Sequence, residues 1–351
     1  MRISSLFDID ESPMVIAGPC SAESEQQVLA TAKELAEGGV KIYRAGLWKP
    51  RTRPGFFEGV GSDGLPWLTK VREATGMKVM TEVATPEHLT AAIDGGVDAV
   101  WIGARTTTNP FAVQEIADTL AKMKPDIAVL IKNPVSPDIN LWIGAIERIH
   151  RAGVTRIAAI HRGFSNYGAG MYRNPPHWAV PIELKRRYPN LPVIHDPSHT
   201  GGDASLIYPL CREAMDLCFD GLMIESHIKP CEAVSDASQQ ITPTELLRIL
   251  KLLKPCSNSS ESMELRILRE KVDSLDDELL MILAERMAVC KEIGLYKKEH
   301  NMPVIQKDRY AVLLSDKIQK GEDLGLDSKY LKRLFATVHE LSVDLQLKIK
   351  S

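Results

Sequence analysis

No apolar run in the sequence approaches the roughly 20 residues of a membrane span, and the opening "MRISSLFDIDESPMV" lacks the apolar core of a secretory signal. Membrane-spanning and exported classes are therefore not expected, and the chain is expected to stay in the cytoplasm. Charge of one sign is also missing: 43 Lys and Arg stand against 46 Asp and Glu, a net charge of -3. That balance argues against a polyanion-binding face, so nucleic acid is not an expected partner. The cysteines Cys20, Cys211, Cys218, Cys231, Cys256 and Cys290 show none of the short paired spacings of zinc knuckles or redox motifs. In a reducing compartment each is expected as a buried thiol, with no disulfide framework. Finally, no G-x-G-x-x-G follows the first apolar run, which disfavours an open dinucleotide-binding sheet.

What is present is a repeat of short apolar runs bounded by turn residues. They read "MVIAG" at 14, "VKIYRAG" at 40, "KVMTEV" at 78, "DAVWIG" at 98, "IAVLIK" at 127, "TRIAAIH" at 155, "PVIHD" at 192 and "GLMIES" at 221. Helix-patterned stretches separate them, such as "SEQQVLATAKELAEGG", which opens on Ser24 as a cap and closes on two glycines. Near-continuous apolar strands alternating with helices indicate a parallel sheet buried on both faces, and eight such units in about 240 residues fit a closed (β/α)8 TIM barrel. After "KPCSNSSES" at 254–262 the pattern changes. Apolar residues fall into three-four spacing at Leu265, Leu268, Val272, Leu275, Leu279 and Ile282, and again at Val289, Ile293 and Tyr296. Two more helical stretches follow, near 306–320 and 328–349. The expected organisation is a barrel over 1–253, a linker over 254–263 and a small all-α three-helix domain over 264–351.

In such barrels the site forms at the C-terminal strand ends. Those ends carry Cys20, Arg44 and Lys49, Glu82, Arg105, Lys132, Arg162, His199 and Glu225. Arg44, Lys49, Arg51, Arg105, Lys132 and Arg162 would bring six cations to one mouth. Cations gathered in this way repel one another unless anions lie between them, and the arginine fork suits phosphate and carboxylate oxygens. Cys20, His199, Glu225 and the later Asp236 offer sulfur, imidazole and carboxylate together, a mixed set suited to manganese, iron, cobalt or zinc. The same residues also make sense as a core thiol, a loop donor and partners for the arginines, so both readings stand on spacing alone.

The stretches "GPCS" (18–21), "RAGLWKPRT" (44–52), "GARTT" (103–107), "DPSH" (196–199) and "VSDA" (234–237), in this order, resemble 3-deoxy-D-arabino-heptulosonate 7-phosphate synthase in its short form. This is the first enzyme of the shikimate pathway. The resemblance implies a divalent metal on Cys20, His199, Glu225 and Asp236, manganese before cobalt, iron, zinc or cadmium. It implies phosphoenolpyruvate on Arg44, Lys49, Arg105, Lys132 and Arg162, and erythrose 4-phosphate on Arg51 and Thr52. "KPRT" favours the four-carbon sugar over the arabinose 5-phosphate used by the related octulosonate synthases, which typically have alanine-asparagine there. "KNPVSPD" after strand five departs from the lysine, basic residue, glycine run more common in short-form members.

In the tail, Arg286 lies on the apolar stripe, where an unpaired arginine is costly. Lys297, 11 residues on, falls within about 20° of it around the helix and roughly 16 Å along the axis. "LREKVDSLDDELLMILAER" (268–286), "YLKRLF" (330–335) and "LSVDLQ" (341–346) resemble the all-helical chorismate mutase that forms intertwined dimers. The resemblance implies chorismate binding by Arg269, Arg286, Lys297, Gln306, Arg309, Ser342 and Gln346, with Arg269 serving the partner chain's site. It also implies a homodimer, with a tetramer as the alternative. Gln306 and Tyr310 stand where acidic residues often contact the substrate hydroxyl. Two readings of the tail follow, a mutase or a module that senses chorismate or prephenate and sets dimerisation.

Overall fold

The computed structural model describes the chain except residues 2, 8, 10–12, 52, 167–169, 254–262, 305, 306 and 351, and leaves the side chains of 263–267, 270, 271, 274 and 307–309 undescribed. The expected linker thus lies almost wholly outside the described residues. Two compact units emerge, Met1–Lys271 and Val272–Ser351.

The first unit closes into an eight-stranded parallel barrel: β1 (Met14–Gly18), β2 (Ile42–Arg44), β3 (Lys78–Val83), β4 (Ala99–Ile102), β5 (Ala128–Lys132), β6 (Ile157–His161), β7 (Val193–His195) and β8 (Gly221–Glu225). β8 pairs back onto β1, with Met14 beside Gly221 and Gly18 beside Glu225. The strands are buried on both faces because successive side chains point alternately inward and outward. Ile16, Ile42, Met80, Trp101, Leu130, Ile160, Ile194 and Met223 fill the interior. Their neighbours, among them Ala17, Tyr43, Val79, Val100, Val129 and Val193, pack against the surrounding helices. Leu6 and Phe7 join the interior cluster, and the Ser4 amide bonds the carbonyl of Thr155, just ahead of β6. The N-terminal segment therefore covers the barrel floor, leaving the C-terminal edge as the open end.

Short polar side chains start the surrounding helices by satisfying otherwise unpaired amides. Ser24 caps Glu25–Glu37 through the Gln27 amide, Thr85 caps Pro86–Asp94, and Asp138 caps Ile139–Arg151. The second unit comprises three helices, Met263–Glu299, Lys307–Asp323 and Ser328–Lys350, the first of which begins ahead of the unit boundary. Within one chain the apolar stripe expected as its seam is open: Leu275, Leu279, Ile282, Val289 and Ile293 are all exposed.

The cysteine expectation needs correcting at two positions. Cys20, Cys211 and Cys290 are buried free thiols, but Cys231 is exposed in the loop after β8 and Cys218 is disulfide-bonded. Cys256 lies outside the described residues.

Candidate active sites

The open end of the barrel holds a cavity of about 370 Å³ lined by Lys49, Arg51, Arg53, Arg105, Lys132, Arg162 and Arg173, with Glu82 and Asp236 as its acids. Five of the six expected cations are on this wall. Arg44 is not: it is fully buried, its Nη2 3.0 Å from Glu225 Oε1 and its guanidinium 4.8 Å from the Trp101 ring centroid. Strand alternation explains this, because Arg44 ends β2 pointing inward above Ile42 and is held by the inward carboxylate that ends β8. Among the described residues its Nε and Nη1 have no hydrogen-bond partner.

"HDPSH" resolves into three tasks. Asp196 caps the short helix Pro197–Gly201 by accepting from the His199 amide at 3.0 Å. Its other oxygen lies 2.8 Å from both Lys132 Nζ and His199 Nδ1. Burial pushes the Asp196 carboxyl upward, but His199 and Lys132 outweigh it and hold it well below the usual carboxylate range. His195 points the other way, into the helix layer, where its Nδ1 lies 3.1 Å from His161 Nδ1.

The four expected ligands stand as two pairs. Cys20 Sγ is 3.2 Å from Asp236 Oδ2, and His199 Nε2 is 3.6 Å from Glu225 Oε1. Among the described residues no three such groups converge on one point. Donor atoms sharing a cation at bond lengths of about 2.0–2.3 Å are themselves roughly 3–4 Å apart, so each pair has the span of one edge of a coordination shell. His199 Nδ1 lies against Asp196 without hydrogen-bond alignment, and its Nε2 faces Glu225. Burial keeps this imidazole below its ordinary pKa despite Asp196. Burial, then Glu225, pushes the Cys20 thiol up to about 12, against the pull of Lys49, whose Nζ is 3.0 Å from Sγ. Arg44 stands on Glu225, Arg173 on Asp236 and Lys49 on Cys20, so cations hold these side chains in place, and sulfur, imidazole and two carboxylates are the donor types that a borderline divalent ion takes.

Arg162 is bonded through Nη1 to Asn174 Oδ1 at 2.7 Å, and burial followed by the fields of Arg173 and Arg105 presses its pKa down. That crowding is what an incoming anion relieves. The unusual Asn133 proves structural: its Nδ2 donates to the carbonyls of Pro134 and Gly163 and its Oδ1 accepts from the Arg162 amide, tying the ends of β5 and β6 together. Arg51 is anchored by its Nε on the Phe57 carbonyl, and Arg105 reaches the Pro50 carbonyl. Thr52 lies outside the described residues. Arg53, Arg173, Asn174 and Gln239 were not expected. Arg53, Arg173 and Asn174 sit on loops where no period marks them, and Gln239 ends the 3-10 turn Ala237–Gln239, to which only the "VSDA" neighbourhood points.

In the tail, Arg286 Nη1 donates to Ser342 Oγ at 2.6 Å, and Lys297 Nζ to Gln346 Oε1 at 3.1 Å. Ser342 and Gln346 are buried and lie one turn apart on Ser328–Lys350, so one helix face meets both cations. Tyr310 stacks on His339 with ring centroids 4.0 Å apart. Burial and then Arg286 and Lys297 lower the His339 pKa, placing it near the same charges. Arg269 is exposed. Gln306 and the Arg309 side chain lie outside the described residues.

Comparison with known proteins gives a consistent picture. Residues 7–261 match the DAHP synthetase I family and residues 268–347 match chorismate mutase type II. The phospho-2-dehydro-3-deoxyheptonate aldolase of Thermotoga maritima is 35% identical over 227 residues, 65% of this chain, so the match spans 64% of that relative's length. The 2-dehydro-3-deoxyphosphooctonate aldolase of Campylobacter jejuni is 26% identical, over 70% of this chain and 96% of that one. A crystal structure of the Thermotoga maritima DAHP synthase superposes with a TM-score of 0.64 at 30% identity, covering 71% of each chain.

Proposed function

The chain belongs to the DAHP synthetase I family, and from that premise we propose that it is a bifunctional enzyme of the shikimate pathway. Residues 1–253 condense phosphoenolpyruvate with erythrose 4-phosphate, and 264–351, joined by a linker at 254–263, rearrange chorismate to prephenate. The observation that carries the first activity is the cation-lined cavity directly beside the two donor pairs.

In this reading Arg105, Lys132 and Arg162 grip the phosphate and carboxylate of phosphoenolpyruvate, with Lys49 and the buried Arg44 beneath. Arg51 and Thr52 hold the phosphate of erythrose 4-phosphate. Bound to Cys20, His199, Glu225 and Asp236, a divalent ion, manganese first, supplies Lewis-acid polarisation of the sugar aldehyde. The chain's own contribution is register. Two anions held side by side in a cavity of about 370 Å³ present C3 of one to the carbonyl of the other, which turns an encounter into an oriented reaction. Bond formation at C3 leaves positive charge at C2, water adds there, and inorganic phosphate departs into the same cationic field that held it.

For the tail, Arg286, Arg309 and the partner subunit's Arg269 would clamp the two carboxylates of chorismate. Lys297 and Gln346 would stabilise the breaking ether oxygen, with Ser342 and Gln306 as further contacts. The exposed stripe on Met263–Glu299 favours a homodimer, because apolar side chains at three-four spacing are covered by a second copy of the same helix. The Tyr310–His339 stack, standing where an acid is commoner, favours a second reading in which the tail mainly senses prephenate and adjusts the synthase. The two readings are compatible. The location proposed is the cytoplasm; the described residues include no helix long and apolar enough to cross a membrane.

The test is product formation by the full chain. Phosphoenolpyruvate should yield phosphate with erythrose 4-phosphate and not with arabinose 5-phosphate, and chorismate should yield prephenate. Preference for the five-carbon sugar would replace this reading with an octulosonate synthase, and an inert tail would leave only the sensing role.

A further inference from the structure

Residues 173–176 belong to no helix or strand, yet their polar groups are almost all committed. The Arg173 and Asn174 amides bond the carbonyls of Gly201 and Thr200, both at 3.0 Å, and the Pro175 carbonyl accepts from the Phe164 amide. The Pro176 carbonyl lies 2.7 Å from His161 Nε2. A carbonyl only accepts, so His161 carries its proton on Nε2, and its bare Nδ1 accepts from His195 Nδ1. Burial holds both rings below their ordinary pKa, which keeps them neutral as this chain of donors requires. Gly163, at φ +74°, leaves the segment room, since a Cβ there would fall 2.0 Å from the Asn174 carbonyl oxygen.

From this fixed segment two adjacent side chains reach both halves of the barrel site. Asn174, 6% exposed, accepts from Arg162 Nη1 at 2.7 Å and donates to the His199 carbonyl at 2.7 Å. Arg173 Nη1 donates to Asp236 Oδ1 at 2.9 Å and to Gln239 Oε1 at 2.6 Å, and Gln239 in turn donates to Glu225 Oε2 at 2.7 Å. Asp236 itself sits at φ 48°, in the left-handed region.

We propose that Asn174 and Arg173 are positioning residues that couple the anion-binding half of the site to its metal-ligand half. The inference rests on the synthase reading above. Asn174 joins Arg162, set for phosphoenolpyruvate, to the backbone of His199. Arg173 holds Asp236, and through Gln239 it steadies Glu225. Filling one half thereby orders the other, and by linkage the effect runs equally in both directions.

The experiment titrates Mn2+ into the metal-free full chain by electron paramagnetic resonance, with and without phosphoenolpyruvate, omitting the sugar so that no turnover occurs. In the wild type, phosphoenolpyruvate tightens Mn2+ binding. Asn174→Ala weakens Mn2+ about tenfold, the scale of losing a bond that orients a ligand, weakens phosphoenolpyruvate as well, and abolishes their mutual effect. Arg173→Met, at a side chain 48% exposed, weakens Mn2+ as well and lessens the tightening that phosphoenolpyruvate gives. It tests the pair even if Asn174→Ala fails to fold. Unchanged Mn2+ affinity in Arg173→Met, or coupling that persists in Asn174→Ala, overturns the proposal. A wild type that binds neither probe sinks the synthase reading instead.

Discussion

Replacing Arg44 with Met tests whether the floor of the barrel site is held by charge. Arg44 and Glu225 are both fully buried and 3.0 Å apart. Removing one partner of such a pair leaves an uncompensated charge, at a cost of about 3–5 kcal/mol. The bond from Gln239 to Glu225 Oε2 survives, and two unpartnered guanidinium nitrogens disappear with the side chain, so the lower part of that range is expected. For a unit of this size that corresponds to a melting temperature lower by roughly 6–12 °C. The pH dependence separates charge from packing. Burial pushes the Glu225 carboxyl up, but His199 and Arg44 together hold it below its ordinary value. A carboxyl depressed in the folded state contributes stability above its unfolded pKa, near 4.3, and loses that contribution as pH falls through the folded value. In Arg44→Met this contribution is smaller, so the gap between the two proteins is widest at neutral pH and narrows below about pH 4. Urea unfolding from pH 3.5 to 8 in the presence of chelator measures it. A variant within 1 kcal/mol of wild type at pH 7, or a gap constant across pH, would refute the reasoning.

Three further outcomes are expected. Gly18→Ala should fail to assemble the site, because its Cβ would lie 2.1 Å from the Arg44 carbonyl oxygen at φ +145°; soluble yield and unfolding midpoint report this, and near-native stability would contradict it. Metal binding at pH 7.5 should release about one proton, since burial pushes the Cys20 thiol to about 12 and it must ionise to ligate; calorimetry in buffers of different ionisation enthalpy counts it, and zero protons would remove Cys20 from the ligand set. Arg286→Ala, which breaks the 2.6 Å bond to Ser342, should lower kcat/KM for chorismate by about 10²-fold or more and abolish any response of the synthase to prephenate. An unchanged rate with chorismate would assign the tail to another ligand.

Much of this architecture is legible in the sequence because barrel strands are buried on both sides. A run such as "AVLIK" must then be apolar throughout, and the polar residue that ends it stands out as facing the open end. Lys132 and Glu225 are visible for that reason, whereas the polar residues that end β6 and β7, His161 and His195, face each other in the helix layer, and the site residues Arg162 and His199 lie just beyond them. Arg44 shares the signature, but sequence alone does not reveal that Glu225 draws it beneath the cavity. Asn174 and Arg173 fall in an irregular stretch whose conformation depends on distant partners such as His161 and Thr200, so no local period marks them. β2 and β7 are only three residues each, trimmed at both ends of the apolar run, and β7 is followed at once by the short helix that carries His199. In the tail the apolar stripe is plain in the sequence, yet Leu275, Leu279, Ile282, Val289 and Ile293 are exposed within the chain, and the sequence alone does not say what covers them.

The central claim is that a metal on Cys20, His199, Glu225 and Asp236 works beside the cationic cavity to join two phosphorylated substrates. The most direct measurement is the rate of phosphoenolpyruvate loss on adding erythrose 4-phosphate, with chelator and then with manganese restored. The account predicts that the chelator abolishes consumption and manganese recovers it. Consumption indifferent to the chelator would reduce the four residues to a substrate-binding framework, and no consumption under any metal would contradict the account outright.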